Sequence, residues 1–166
     1  MKTSRTPLTI LGCLYVAFIG YLIFSSGQLP PQVATHFRSN GHPNGWMSRS
    51  SHMIFMGVLG LVLPLLIVAI MNATRFFPSA LNIPRKQFWL APERRQDTFR
   101  YLSRQALWFA CVMVAFILGL QVTLVQANTH TPAQLSMPLH FTVAGGFLVA
   151  LAIWSIVTVR RFYRTS

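Results

Sequence analysis

Carboxylates are almost missing from this 166-residue chain. Glu93 and Asp97 are the only two, against fourteen lysines and arginines, for a formal net charge of +12. Charged residues of either sign make up 10% of the chain, well under the roughly 25% of a soluble domain. None interrupts the apolar runs Leu8–Phe24 and Met53–Thr74, and none occurs between Arg104 and Arg160. The lack of membrane-buried charge argues against proton pumps and ion-coupled transporters, which place an ionisable residue at mid-membrane. With both acids in one segment, no nucleophile, base and orienting acid can assemble elsewhere, so no enzyme is expected. Cysteine is scarce as well. Cys13 and Cys111 each lie just inside the same end of an apolar run, facing a reducing compartment, and read as small buried residues rather than a disulfide.

What is abundant is apolar sequence, at 53%. Each run approaches the ~20 residues that cross a hydrocarbon core as a helix, which satisfies its own backbone. The first run, of about 17 residues, exceeds a signal-peptide core of 7–15 and predicts an uncleaved helix. Twelve of the fourteen cations precede the first run, follow the fourth, or lie between the second and third; only Arg38 and Arg49 fall between the first and second. By the positive-inside rule both termini are cytoplasmic. This distribution assigns the positive charge to a bilayer and not to nucleic acid. The expected fold is an all-α membrane protein, one integral domain over 1–166. Its transmembrane helices are 8–25, 53–74, 106–126 and 138–158, with a small folded extracytoplasmic cap at 26–51 and a basic cytoplasmic loop at 75–105.

Local chemistry adds detail. Pro64 predicts a kink in the second helix. Small residues (Gly12 and Gly20, Gly146 with Ala150) offer faces for close helix contact. Pro92 is placed as the first residue of a helix with Glu93 in its first turn, so the third helix is expected to start there and protrude. Asp97 is spaced to pair with Arg94 or Arg100. Phe76, Phe77, Phe88, Trp89 and Leu90 alternate with cations, as in a segment that sets rings at headgroup level and cations on anionic lipid. In the cap, Val33, Thr35 and Phe37 alternate like a short strand. Asn40-Gly41 and Asn44-Gly45 are turn signals that predict positive φ at both glycines. Phe37 and Trp46 are expected to hold those turns against the helix ends, with Trp46 also an interfacial anchor.

The stretch Leu29-Pro30 through His36-Phe37 to Gly41, Gly45, Trp46 and Ser48 resembles the outer-loop motif of a bacterial membrane domain of unknown function, which also occurs in immunity proteins against the sporulation-delaying toxin. Asn82-Ile83-Pro84, followed by Trp89, Pro92, Glu93, Arg94 and Arg95, resembles the cytoplasmic segment of many members. The two motifs span about residues 25–110. Where the family commonly has an acid before the second glycine and a lysine after the serine, this chain has Asn44 and Arg49, so a loop carboxylate role does not carry over. The toxin-immunity members have a second membrane-embedded region without counterpart here. The resemblance implies no catalysis and no cofactor.

The leading functional expectation is a sensory or immunity-like bacterial inner-membrane protein whose cap, residues 29–49, meets a peptide or envelope partner, while the cytoplasmic loop rests on anionic headgroups. The alternative uses the histidines His36, His42, His52, His130 and His140, all on or at the mouth of the outer side, as a zinc-like metal site or a pH sensor. Against it, the chain has no H-x3-H pair, and no Cys, Asp or Glu on that side. In the bland reading His36 and His140 make hydrogen bonds within the cap and the other three are solvated or interfacial. A small transporter or its accessory subunit is a further alternative. The topology is directly testable: phosphatase fusions after Trp46 and after Thr131 are expected to be active and one at Gln87 inactive, whereas activity at Gln87 would overturn the orientation.

Overall fold

The computed structural model describes residues 5–163. Four helices are long and apolar enough to cross a membrane, as in a multi-pass membrane protein: α1 (Thr6–Ser26), α2 (Arg49–Ala73), α3 (Pro92–Asn128) and α4 (Met137–Tyr163). α1, α3 and α4 contain their expected runs and extend them, and α2 starts four residues before its expected run and ends one residue short of it. α2 begins at Arg49 rather than residue 53 because Ser48 caps it, its Oγ accepting from the Ser51 N–H at 3.1 Å. α3 starts at Pro92 with Glu93 in the first turn, as the sequence predicts. At 1.5 Å per residue its 37 residues span about 55 Å, nearly twice the thickness of a hydrocarbon core, so one end must stand clear of it.

The cap between α1 and α2 departs from the all-helical pattern, and the alternation at Val33, Thr35 and Phe37 falls in a strand with a partner that the sequence did not indicate. There β1 (Gln32–Phe37) and β2 (Pro43–Ser48) form an antiparallel hairpin. Asn40-Gly41 does turn: the Gly41 N–H donates to the Arg38 carbonyl at 2.9 Å and Gly41 takes φ 80°, a left-handed position that a side chain rarely occupies. Asn44-Gly45 does not. Gly45 lies inside β2 opposite His36, and among the described glycines only Gly41 has positive φ. Register shifts on both sides of His36 let the hairpin absorb the irregularity.

α3 is the central helix, packing against α1, α2 and α4. The core joins Leu11 and Phe18 of α1, Met56 of α2, and Ala110, Cys111, Val114 and Ile117 of α3. α4 is applied to one flank of α3 through Phe147 on Phe116, with ring centroids 4.2 Å apart, and Trp154 on Phe109 at 4.9 Å. The two cysteines point apart: Cys111 is buried with its Sγ 3.4 Å from the Pro7 carbonyl, and Cys13 is exposed. The hairpin and the 129–136 connection meet at one end of the bundle, the hairpin face. The 74–91 connection and the end of α4 meet at the other, the basic face.

Pro64 acts as predicted, through a specific device. Lacking an N–H for the carbonyl of Gly60, it is preceded by a π-helical stretch, Val58–Val62, within which the Tyr15 hydroxyl donates to the Leu61 carbonyl at 3.3 Å. The same stretch carries Gly60 against the buried Phe18 ring, where an added Cβ would fall 2.3 Å from a ring atom. The small residues singled out in α1 and α4 behave otherwise: Gly12, Gly20 and Gly146 have nothing within 4 Å of an added Cβ. Gly60→Ala is therefore expected to destabilise the protein by about 1–3 kcal/mol through overpacking. Gly57→Ala, whose Cβ would meet Leu22 at an ordinary 3.8 Å, should be neutral or slightly stabilising. Thermal unfolding of the detergent-purified variants distinguishes the two, and equal midpoints would refute the close contact.

Candidate functional site: the hairpin face and the basic face

Hairpin pairing can be read bond by bond. The Arg49 N–H donates to the Pro31 carbonyl at 2.9 Å, so 31 and 49 are a bonded pair. Antiparallel alternation then makes Gln32/Ser48 and Ala34/Trp46 non-bonded pairs, whose peptide groups turn outward on the two edges. On the β1 edge that outward pair is closed by one side chain. The Ala34 N–H donates to Asn128 Oδ1 at 2.8 Å, and Asn128 Nδ2 donates to the Ala34 carbonyl at 2.9 Å. Asn128 therefore occupies the place of a third strand, at the last residue of α3. Leu29 and Val33 bury against Val125, one turn earlier, to form the floor. The 129–136 connection closes the tip: the Leu135 N–H donates to the Gly41 carbonyl at 3.0 Å and the Gln134 N–H to Ala127 at 3.0 Å. An open cleft of about 360 Å3 remains between Asn40 and the His130–Pro138 segment.

The β2 edge is left open. Trp46 is 55% exposed, with Asn44 and Ser48 exposed on either side of it. Trp46 thus does not hold the turns down; Leu29, Val33 and Ala34 are the residues buried beneath the hairpin. Pro30 and Phe37 are half-buried, Gly41 is buried against Leu135, and Gly45 leaves room for His36, whose Cβ would lie 3.0 Å from an added one.

The histidines are dispersed. His36 is exposed beside Thr35, with Nδ1 3.2 Å from its Oγ1; His42 is exposed in the turn; His130 lines the cleft; the His140 ring lies edge-on to Phe141. His52 is neither solvated nor interfacial. It is 1% exposed inside the bundle, because the early start of α2 places it within the helix. Among the described residues no three His, Cys, Asp or Glu gather as a metal site. His52 instead joins a buried chain that sequence reasoning missed. Its Nε2 is 3.0 Å from Gln121 Oε1, Gln121 Nε2 donates to Ser25 Oγ at 3.2 Å, and Ser25 Oγ donates to the Leu22 carbonyl at 3.2 Å. With the Ser25 proton on Leu22, the Gln121 amide donates to Ser25 and its oxygen faces His52, an arrangement that goes with a proton on His52 Nε2. Gln121 was the only signal: a polar residue in an otherwise apolar run needs a partner.

On the basic face, the helical turn Lys86–Trp89 follows Pro84 and Arg85, the latter left-handed at φ 52°. Trp89 is half-buried and packs against the end of α4. Its Nε1 donates to the Phe162 carbonyl at 3.2 Å, and its ring meets Phe162 edge-on at 5.6 Å, pinning the end of α4. Tyr101 donates to Val157 at 2.9 Å and Thr98 to Trp89 at 2.9 Å, extending the same joint. Phe76 and Phe77 do stay exposed, at 66% and 65%. Pro92, Glu93, Arg94 and Arg95 are exposed on the protruding turns of α3. Asp97 pairs with Arg100 at 3.1 Å, and Arg94 lies over Phe88 at 4.1 Å instead.

Residues 13–61 match a family model described as a domain of unknown function, DUF1648. The match runs from α1 through the hairpin to the π-helical stretch of α2, so it contains every hairpin residue discussed above. Comparison with curated proteins finds no match, and comparison with solved structures finds none.

If Asn128 is what holds the hairpin, Asn128→Ala should cost about 2–6 kcal/mol, from two buried backbone groups left unpaired at ~1–3 kcal/mol each. It should also open residues 31–49 to added protease. Asn128→Asp loses the donor and should not rescue. Asn40→Ala, which removes only an exposed acceptor for the His42 N–H, should leave protection unchanged. Wild-type protection in Asn128→Ala would show that the side chain is not the clamp.

Proposed function

We propose that this is a bacterial inner-membrane protein with both ends in the cytoplasm and a sensory or immunity-like role, whose hairpin receives an extended peptide or envelope segment from outside. The observation that carries this reading is the asymmetry of the two hairpin edges. β1 is closed by Asn128, and β2 presents the outward peptide groups of Trp46 beside an exposed indole. An unpaired strand edge is a template for a further strand, with backbone hydrogen bonds giving affinity and an aromatic ring an anchor. The surrounding charge selects the partner. Arg38 and Arg49 are the only formally charged groups on this face and no acid accompanies them, which favours an acidic segment. The protein acts by binding and carries out no reaction of its own. The cation distribution supports the orientation, and the basic face then rests on the anionic leaflet.

The test is a deletion strain challenged with a panel of membrane-active and acidic peptides. Sensitivity to at least one is expected, restored by the wild type and not by Trp46→Ala at equal membrane abundance. The purified protein should bind that peptide, with Trp46→Ala weakening it by roughly 30-fold, the loss typical of an aromatic anchor of ~2 kcal/mol. Full rescue by Trp46→Ala would remove the β2 edge from the function.

A further inference from the structure

Among the arginines of the basic face, Arg94, Arg104 and Arg161 lie over rings of their own lobe: Phe88 at 4.1 Å, Tyr101 at 5.8 Å, and Tyr101 again at 4.4 Å. Arg75, Arg95 and Arg100 line one open groove of about 570 Å3 between the end of α2 and the protruding turns of α3. That volume is within the ~300–1,000 Å3 of ligand sites. No acidic residue lines the groove. Asp97, paired with Arg100, offsets one of the three cations, leaving a net charge of two.

Its walls are built rather than incidental. Asn72, one turn before Arg75, accepts from the hydroxyl of Ser103, one turn after Arg100, and its own amide donates to the Val68 carbonyl at 2.7 Å. This bond ties the two helices at the depth of the groove. The Arg75 guanidinium carbon lies 4.6 Å from the centre of the Phe76 ring and that of Arg95 5.9 Å from the Phe99 ring. A cation placed by an aromatic contact spends no hydrogen-bond donor on it, which leaves the guanidinium fork available to phosphate oxygens. Further along α2, Leu66 and Ile70 are exposed at 51% and 58%, apolar surface available to acyl chains.

We propose that this groove is a specific site for an anionic phospholipid, its phosphate held by Arg75, Arg95 and Arg100 and its chains laid along α2. The site deepens the headgroup contact proposed above, from a diffuse attraction to a defined position, and its chemistry does not depend on which face is cytoplasmic. The experiment titrates fluorescent phosphatidylglycerol or phosphatidylcholine into the detergent-solubilised full chain. Detergent presents the lipid to both faces, so failure here leaves the orientation to be judged by its own fusions.

The wild type should prefer phosphatidylglycerol. Arg75→Gln with Arg95→Gln should weaken it about 25-fold, from ~1 kcal/mol, or fivefold, for each arginine at the surface. Lys86→Gln with Arg160→Gln, removing the same charge elsewhere on this face, should weaken it less than about twofold. Arg75→Lys with Arg95→Lys keeps charge and fold but not the fork, and should still lose several-fold. Equal losses in the two glutamine pairs, or none with lysine, would mean diffuse attraction and overturn the site. Displacement of the lipid by millimolar inorganic phosphate would mean a free-anion site and overturn it equally.

Discussion

The contact on which the hairpin face depends is one carboxamide against the backbone of one residue: Asn128 with the N–H and carbonyl of Ala34. A two-stranded hairpin is marginal by itself, and one laid on apolar helix ends has no water to satisfy its inner edge. An amide is the neutral side-chain group that offers a donor and an acceptor side by side, so asparagine can stand in for a strand without bringing a charge into the floor. Asn128 is 8% exposed and also donates to the Leu124 carbonyl at 2.9 Å, which fixes its rotamer against its own helix. The position of the hairpin is therefore the position of the end of α3.

The same helix organises the other end by a different chemistry. There the joint to α4 is made of aromatic side chains whose polar tips reach backbone carbonyls: Trp89 to Phe162, Tyr101 to Val157, and Trp154 to Gln105. Each gives apolar area to the contact and one directed bond, without a carboxylate. With only two acids in the chain, ion pairs cannot do this work, and the single ion pair among the described residues is the exposed one between Asp97 and Arg100. Neutral amides at one end and aromatic donors at the other replace the salt bridges that a chain of ordinary composition would use.

Helix number, the protruding start of α3 at Pro92 and the disturbance at Pro64 were legible because each follows from local covalent or solvation physics: uncharged length, a missing N–H, a pre-set φ. The turn at Asn40-Gly41 was legible for the same reason. Asn44-Gly45 has the same dipeptide and yet extends, because pairing with β1, which Asn128 holds in place, decides its backbone. The burial of His52 and the inward bond of Trp89 were not legible because their partners, Gln121 and Phe162, lie 69 and 73 residues away in sequence. Periodicity carries no information about such pairs. Gln121 did advertise an unmet need in an apolar run, but not who meets it.

One consequence of the geometry bears on the proposed sensory reading. β2 enters α2 without a linker, since Ser48 is both the last residue of the strand and the N-cap of the helix. His52 sits one turn further on, joined through Gln121 to Ser25 at the end of α1. The end of α1, the start of α2 and α3 two turns before its end thus share one hydrogen-bonded layer. A ligand that adds a strand to β2 pulls on the residue that starts α2, while β1 stays fixed to α3 by Asn128. The hairpin can follow such a pull only by shearing its own ladder or by shifting α2 relative to α3. The second route loads the His52–Gln121 bond, where a donor and an acceptor 3.0 Å apart in a buried site tolerate little displacement before both are left unpaired. In that reading, strand addition outside and helix position inside are coupled through the stiffness of this layer.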